Sequence, residues 1–156
     1  MAVIELTKDN FTETIEGNGT VIVDFWATWC GPCRAFAPIF EKASAKHEDV
    51  VFAKIDTDAQ KELAAAFQIR SIPTLMAFRE NIAVFHQAGM MRPKQLDELV
   101  EKVGALDMDE VRRKIAEHEA ADAAEAAKDS ADSDGEEPEV ETPAAAGAED
   151  EANDDF

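Results

Sequence analysis

Both cysteines of this chain lie in one short segment, Trp29-Cys30-Gly31-Pro32-Cys33, directly after the apolar run 21–27. Two thiols this close in sequence cannot tie distant parts of a fold together. They can instead open and close as a disulfide, and each cycle then carries two electrons. A Cys-x-x-Cys pair beside a strand–helix–strand pattern is typical of a redox site.

Two other uses of the cysteine pair have to be weighed. A structural zinc site needs four ligands, and the pair supplies only two of them. The remaining soft ligands are His47, His86 and His118, and their spacing is not that of a zinc site. A purely structural disulfide is the other alternative. The ligand count favours dithiol chemistry over zinc.

The periodicity of the apolar residues predicts alternating strands and helices in the order β-α-β-α-β-α-β-β-α. Such alternation is typical of an α/β domain, with a central mixed β-sheet flanked by helices on both faces. The final strand pair should be an antiparallel hairpin, and Asp58 is the expected N-cap of the third helix. The predicted strands cover 2–6, 20–27, 50–55, 73–78 and 82–86, and the predicted helices cover 7–17, 33–46, 59–67 and 93–104.

Charge and composition divide the chain into three parts. Residues 1–104 form the predicted domain, 105–128 a helical extension capped by Asp107, and 129–156 an acidic tail. Residues 117–156 hold 16 acidic side chains and one lysine, with few large apolar residues. Such a segment cannot bury enough surface to offset its chain entropy, so we expect the tail to be disordered.

The same charge and composition limit the partners and the compartment. The negative charge of the acidic segment would repel the phosphate groups of DNA or RNA, which argues against nucleic acid as a partner. No apolar run reaches the length of a membrane span, and the N-terminus lacks the pattern of a secretory signal. We therefore expect a cytoplasmic protein without membrane contact.

The segment 26–33, Trp-Ala-Thr-Trp-Cys-Gly-Pro-Cys, closely resembles the active site of the thioredoxin family. The resemblance covers about residues 2–104. It extends to Asp24 before the motif, Pro38 after it, Lys54 in the third strand, the Ile72-Pro73-Thr74 segment, and Gly89 before the last helix. It implies a thioredoxin fold and a protein-disulfide reductase, that is, a thiol-disulfide oxidoreductase that needs no bound cofactor.

The two cysteines should have different tasks. Cys30 lies where a helix begins, and the unpaired N–H groups and the helix dipole there favour a thiolate. We expect Cys30 to be exposed and to attack the client disulfide. Cys33, one turn into the helix and among apolar neighbours, should then resolve the mixed disulfide.

Asp24 is a carboxylate inside an apolar strand, and burial there should raise its pKa. The resemblance implies that Asp24 lies behind Cys33 and assists proton transfer to and from it through water. It also implies that Lys54 modulates Asp24. Trp26 is expected to support the core.

The resemblance further implies a flat apolar docking surface for clients, with a cis peptide bond before Pro73. The backbone of the residue before that proline would pair with the client chain. The residues of this expected surface are Trp29, Gly31, Pro32, Ile72, Pro73 and Gly89.

The implied partners are disulfide-containing client proteins and a reductase, which in this family is an NADPH-dependent flavoenzyme; we expect a monomer. Two other functions remain open. A chaperone or binding module would use the domain to recruit clients. An oxidase or isomerase would donate or shuffle disulfides, although Gly-Pro between the cysteines resembles the reducing members of the family.

Overall fold

A computed structural model describes residues 3–131 of the chain. The predicted order of elements is confirmed, and a fifth helix follows it. The strands are β1 (Ile4–Glu5), β2 (Thr20–Trp26), β3 (Val51–Asp56), β4 (Thr74–Arg79) and β5 (Ile82–Ala88). The helices are α1 (Phe11–Gly17), α2 (Gly31–Lys46), α3 (Lys61–Ala66), α4 (Pro93–Gly104) and α5 (Met108–Ala131).

The strands form one mixed sheet in the order β1-β3-β2-β4-β5. Strands β1 and β2 run parallel to β3, whereas β4 is antiparallel to β2 and β5 is antiparallel to β4. Strand β2 is thus central and buried on both faces. Its nearly continuous apolar sequence, interrupted by Asp24, reflects that position.

Helices cover both faces of the sheet, as predicted. On one face, Ile22 of β2 packs with Phe36 and Phe40 of α2 and with Leu96 of α4. On the other face, Val23 and its neighbours pack with α1 and α3. Because side chains alternate along a strand, Asp24 points to the same face as Ile22. A carboxylate therefore lies in the layer beneath α2.

The third helix begins later than predicted. Helix α3 starts at Lys61, and Gln60 occupies its N-cap position, so the expected cap at Asp58 is wrong. The backbone N–H groups of Asp58 and Ala59 bind the Oδ1 atom of Asp56 instead. This turn leaves the Asp58 carboxylate free to contact Trp29.

Arg79, at the end of β4, closes the C-terminus of α4. Its Nη1 atom donates to the carbonyl oxygens of Val103 and Gly104, both at 2.7 Å, and of Leu106 at 3.2 Å. A cation is favourable at the negative end of a helix dipole, where the last carbonyl groups of the helix lack partners within it. The turn that follows Arg79 has Asn81 at φ 67°, a conformation that asparagine tolerates.

Asp107 caps α5 as predicted, since its Oδ1 atom accepts hydrogen bonds from the N–H groups of Asp109 and Glu110. Two compact units divide within this helix, between Arg113 and Lys114. The domain limits at 104 and 128 stay predictions. Of the acidic tail, residues 132–156 lie outside the described part of the chain. None of the helices between residues 3 and 131 has the length and apolar composition that a membrane crossing requires.

Candidate active site

The cysteine pair sits where β2 ends and α2 begins. Cys30 is the N-cap residue of α2, in an extended conformation, and its Sγ atom accepts a hydrogen bond from the N–H of Cys33 at 3.3 Å. Pro32 lies in the first turn, where a missing N–H costs little. The sulfur of Cys30 is therefore placed against the positive end of the helix, as the sequence indicated.

The two sulfurs are joined in a disulfide, with the Cα atoms 5.3 Å apart. Cys30 is only 4% exposed and Cys33 3%. The expectation that Cys30 is exposed is wrong for this oxidised form. The reason is local packing, because Ile72 packs against the pair and its carbonyl oxygen lies 3.8 Å from the Cys30 Sγ atom.

One side of the disulfide is bordered by the loop that precedes β4. The Ile72–Pro73 peptide bond is cis, as the resemblance implied. The Gly89 N–H donates to the carbonyl oxygen of Pro73 at 2.8 Å, and Gly89 has φ 101°, a conformation that glycine adopts without strain. The structure therefore brings Cys30, Ile72, Pro73 and Gly89 together.

Trp29 is the most exposed large apolar side chain of the described residues, at 67%. Its Nε1 atom donates to the Asp58 Oδ2 atom at 2.9 Å, which fixes one edge of the indole ring. This role of Asp58 could not be predicted from the sequence, since the two residues meet only when β2 and β3 pair. Gly31 and Pro32 are exposed beside Trp29, and a Cβ at Gly31 would contact nothing within 4 Å.

Asp24 lies on the other side of the pair and is 4% exposed. Burial raises its pKa to about 7, and the positive charge of Lys54 opposes this rise only in part. No hydrogen-bond donor of the described residues reaches the Asp24 Oδ1 atom. The raised pKa that the sequence predicted is therefore confirmed, and desolvation is its main cause.

Lys54 is the neighbour of Asp24 in the sheet register, across the β2–β3 pair. Its Nζ atom lies 5.2 Å from the ring centroid of Trp26, a distance typical of a cation–π contact. Asp24, Lys54 and Cys33 all line a cavity of about 130 Å³ beneath α2. The other lining residues are Val3, Trp26, Arg34, Ala37, Phe40 and Glu41.

A contact between α2 and α4 involves His47, a residue to which the sequence pattern gives no particular role. The Asp97 carboxylate accepts from Lys46 at 2.7 Å and lies 2.8 Å from the His47 Nε2 atom. Hydrogen bonds from Lys46 and then His47 hold the pKa of Asp97 below its usual value. Because 50 residues separate His47 from Asp97, no local pattern signals this contact.

Comparisons with known proteins agree with this geometry. The family model described as thioredoxin matches residues 2–104. The chain is 52% identical over 117 residues to "Putative thioredoxin 2" of Streptomyces coelicolor, covering 75% of this chain and 87% of that protein. It is 38% identical over 103 residues to the thioredoxin of Staphylococcus saprophyticus, covering 65% of this chain and 98% of that one.

The crystal structure of Malassezia sympodialis thioredoxin superposes with a TM-score of 0.61 at 34% identity, covering 67% of this chain and 92% of that chain. Fold and cysteine pair thus define a thiol-disulfide oxidoreductase with a redox-active dithiol. The chain belongs to the thioredoxin family.

Proposed function

We propose that this protein reduces disulfide bonds of protein clients through the Cys30–Cys33 pair, with Cys30 as the nucleophile. The observation that carries the proposal is the position of Cys30 at the N-terminus of α2, where the Cys33 N–H contacts its sulfur. In the reduced protein the same N–H and the helix dipole would stabilise a thiolate. The thiolate is the form that attacks disulfides.

Reduction then takes two exchange steps. The Cys30 thiolate attacks one sulfur of the client disulfide, a mixed disulfide forms, and the other client sulfur leaves as a thiolate that takes up a proton. Cys33 loses its proton and attacks Cys30. The Cys30–Cys33 bond forms, the second client thiol is released, and two electrons have passed to the client.

Asp24 is the proposed proton acceptor for Cys33. It lines the same cavity as Cys33, and a pKa of about 7 suits a base that works near neutral pH. Lys54 would tune this group, because its positive charge favours the carboxylate over the neutral acid. Both roles rest on the cavity that these side chains share.

Client docking is assigned to the surface around Cys30. Trp29, Gly31 and Pro32 precede or begin α2, and Ile72, Pro73 and Gly89 adjoin Cys30 across the fold. A client segment would lie extended across this surface and pair with the backbone at Ile72, a form of strand addition. The open space at Gly31 leaves room for the client chain.

We place the protein in the cytoplasm as a monomer that acts on protein clients and requires neither nucleic acid nor membrane. A dithiol of this kind needs a reductant for each turnover. A thioredoxin reductase that takes electrons from NADPH, or an equivalent enzyme, is the proposed source. The acidic segment 129–156 is assigned no part in the chemistry.

Reduction of insulin, followed by the turbidity of the released chains, tests the proposal. The wild-type protein with a dithiol reductant should accelerate precipitation, and Cys30→Ser should abolish the acceleration. An inactive wild type would contradict the reductase proposal. Full protection of an aggregating client by Cys30→Ser, without any reduction by the wild type, would favour the chaperone alternative.

A further inference from the structure

We propose that Met90 belongs to the client-docking surface as a peroxide-sensitive contact, and that oxidation of its thioether to the sulfoxide slows the attack of Cys30 on clients. This inference rests on the proposed reductase function and adds a modification site that regulates it. The thioether is separate from the Cys30–Cys33 pair, so it can be oxidised while the pair is already a disulfide.

The topology of the sheet brings Met90 to the edge where the disulfide lies. Strand β2 ends at this edge before Cys30, and the parallel strand β3 ends there before Asp58. Strand β4 runs the opposite way and begins there after Pro73, whereas β5 ends there before Gly89 and Met90. Because β4 and β5 follow β2 in the sheet, Met90 lies on the β5 side of the disulfide.

Two contacts connect the Cys30 sulfur to the backbone before Met90. The Ile72 carbonyl oxygen lies 3.8 Å from the Cys30 Sγ atom, and the Pro73 carbonyl oxygen accepts from the Gly89 N–H at 2.8 Å. The Cα atom of Met90 is about 3.8 Å from that of Gly89, because the two residues are consecutive. The Met90 side chain therefore begins one residue beyond the backbone that is assigned to client docking.

Exposed apolar side chains are concentrated near the disulfide. Of the described residues in the first compact unit, three large apolar side chains are exposed, namely Ile4, Trp29 and Met90. Trp29 lies on the β3 side of the disulfide and Met90 on the β5 side. Grouped apolar side chains are typical of an interaction surface, and a flexible thioether can adapt to clients of different shape.

Met90 is also the most accessible methionine of the described residues. Its side chain is 42% exposed, whereas Met76, Met91 and Met108 are buried. Met91, the next residue along the chain, packs in the core beneath α2 and α4. Since a thioether must meet the oxidant to react, a dissolved peroxide should modify Met90 before the other three.

The modification is a two-electron oxidation by a hydroperoxide, here hydrogen peroxide. The Met90 sulfur attacks one peroxide oxygen, the O–O bond breaks and an S–O bond forms. The second oxygen takes both hydrogens and leaves as water, so the sulfur is oxidised and the peroxide is reduced. Methionine sulfoxide reductases reverse the step, with two electrons from a thiol reductant.

The sulfoxide should weaken docking because it turns an apolar side chain into a polar one. Its oxygen accepts hydrogen bonds from water, and a client that covers this oxygen without a donor loses free energy of binding. The attack by Cys30 depends on docking. The release by Cys33 takes place inside a covalent complex and should depend on Met90 much less.

The test begins with the disulfide form of the protein, in which both cysteine sulfurs are already bonded. This form is treated with hydrogen peroxide, freed of peroxide, reduced with a dithiol and freed of the dithiol. Peptide mapping by mass spectrometry then gives the fraction of sulfoxide at each methionine.

Stopped-flow kinetics separate the two exchange steps. The reduced protein is mixed with a peptide that carries one disulfide between a fluorophore and a quencher. The second-order rate at low peptide concentration reports the attack by Cys30, and the plateau rate at high concentration reports the release by Cys33.

In the wild type, sulfoxide should form at Met90 before the buried methionines. The second-order rate of the oxidised protein should fall about fivefold, as for loss of one apolar contact in an interface. The plateau rate should stay the same. Methionine sulfoxide reductases with a dithiol should restore the second-order rate.

Three variants sharpen the test. Met90→Leu keeps an apolar side chain without sulfur, so its second-order rate after peroxide should equal its own rate before peroxide. Met90→Gln has a polar side chain of similar length, and without peroxide its rate should lie near that of the oxidised wild type. Met108→Leu is the matched control, because it removes a buried methionine and should lose rate on peroxide treatment as the wild type does.

The outcomes separate this proposal from the function on which it rests. A wild type that does not reduce the peptide before peroxide contradicts the reductase function, and the proposal falls with it. A wild type that reduces the peptide equally well with Met90 fully oxidised contradicts the proposal alone. An equal loss of rate in peroxide-treated Met90→Leu would also overturn it, because Met1 and the buried methionines are the same in that variant.

Discussion

The two sulfurs of the disulfide are one helical turn apart, yet their surroundings differ in kind. Cys30 borders the apolar loop of Ile72 and Pro73, next to the exposed ring of Trp29. Cys33 faces a cavity that the buried Asp24 carboxylate and the charged side chains of Lys54, Arg34 and Glu41 also line. The difference teaches how one dithiol could divide its work: the client would meet the apolar side, and protons would be handled on the polar side.

Replacing each cysteine in turn should give the largest difference in activity between variants of the two sides of the disulfide. Cys33→Ser keeps the attacking sulfur but removes the resolving one, so it should accumulate a covalent complex with the client. Its turnover should fall at least about a thousandfold, because the second exchange step is lost. Non-reducing gel electrophoresis after an acid quench detects the complex. Cys30→Ser is the matched variant, and an equal yield of complex from it would contradict the assigned roles.

Asp24→Asn tests the surroundings of Cys33 through the pH dependence of the free energy of unfolding. The unfolded chain loses this proton near pH 3.8, whereas the folded protein holds it to about pH 7. Folding is therefore favoured at low pH, and the stability of the wild type should fall as pH rises from about 4 to about 7. Each pKa unit corresponds to about 1.4 kcal/mol, so the effect of Asp24 reaches about 4 kcal/mol.

The variant should lose this pH dependence and be more stable than the wild type above neutral pH by up to about 4 kcal/mol. Urea unfolding of the oxidised proteins at about pH 5 and about pH 8 measures the difference. The same variant should release clients more slowly by about tenfold or more. Parallel stability curves for the two proteins would show that Asp24 is not buried as described.

Trp29→Ala tests the apolar side. Loss of the exposed indole should lower the second-order rate with a peptide disulfide about tenfold, since large aromatic side chains dominate contact energies. The plateau rate and the free energy of unfolding should change little. Ile4→Ala is the control, because Ile4 is another exposed apolar residue but lies in the edge strand β1. Equal losses from both variants would contradict a docking role for Trp29.

Asp58→Ala should have a smaller effect of the same kind. It leaves the indole in place but removes the hydrogen bond to its Nε1 atom. We expect the second-order rate to fall about threefold, because the ring is no longer held in one orientation. Glu62→Ala removes an exposed ion pair with Lys8 in the same region of sequence and should be neutral.

Deletion of residues 129–156 is expected to have the smallest effect. The segment is strongly acidic and is assigned to neither side of the disulfide. Both rates should stay within about twofold of the full chain at physiological salt, where charges farther apart than about 8 Å are screened. A large loss in either rate would show that this segment takes part on the corresponding side.

Much of this architecture could be predicted because it depends on residues that are close together in the sequence. Pro93 and Gly104 mark the two ends of α4, and the structure places that helix between them. Asn81 marks the hairpin turn. Asp24 could be predicted to be buried because its strand is apolar on both sides, which leaves a carboxylate no exposed face.

What could not be predicted depends on contacts between distant segments. From the sequence, Asp58 is the expected N-cap of the third helix. Only the pairing of β2 with β3 shows that it binds Trp29. The low exposure of Cys30 depends on Ile72, which lies 42 residues away. The unpartnered indole N–H of Trp26 has no sequence signature, because burial of a single atom is a property of packing.

Arg79 has a practical consequence for anyone who wishes to attach cargo to this protein. Its guanidinium group binds the last two carbonyl oxygens of α4, so the end of that helix is held by a side chain of β4. The first compact unit ends at Arg113. A reporter or an affinity tag attached outside this unit would leave the hydrogen bonds between Arg79 and α4 in place.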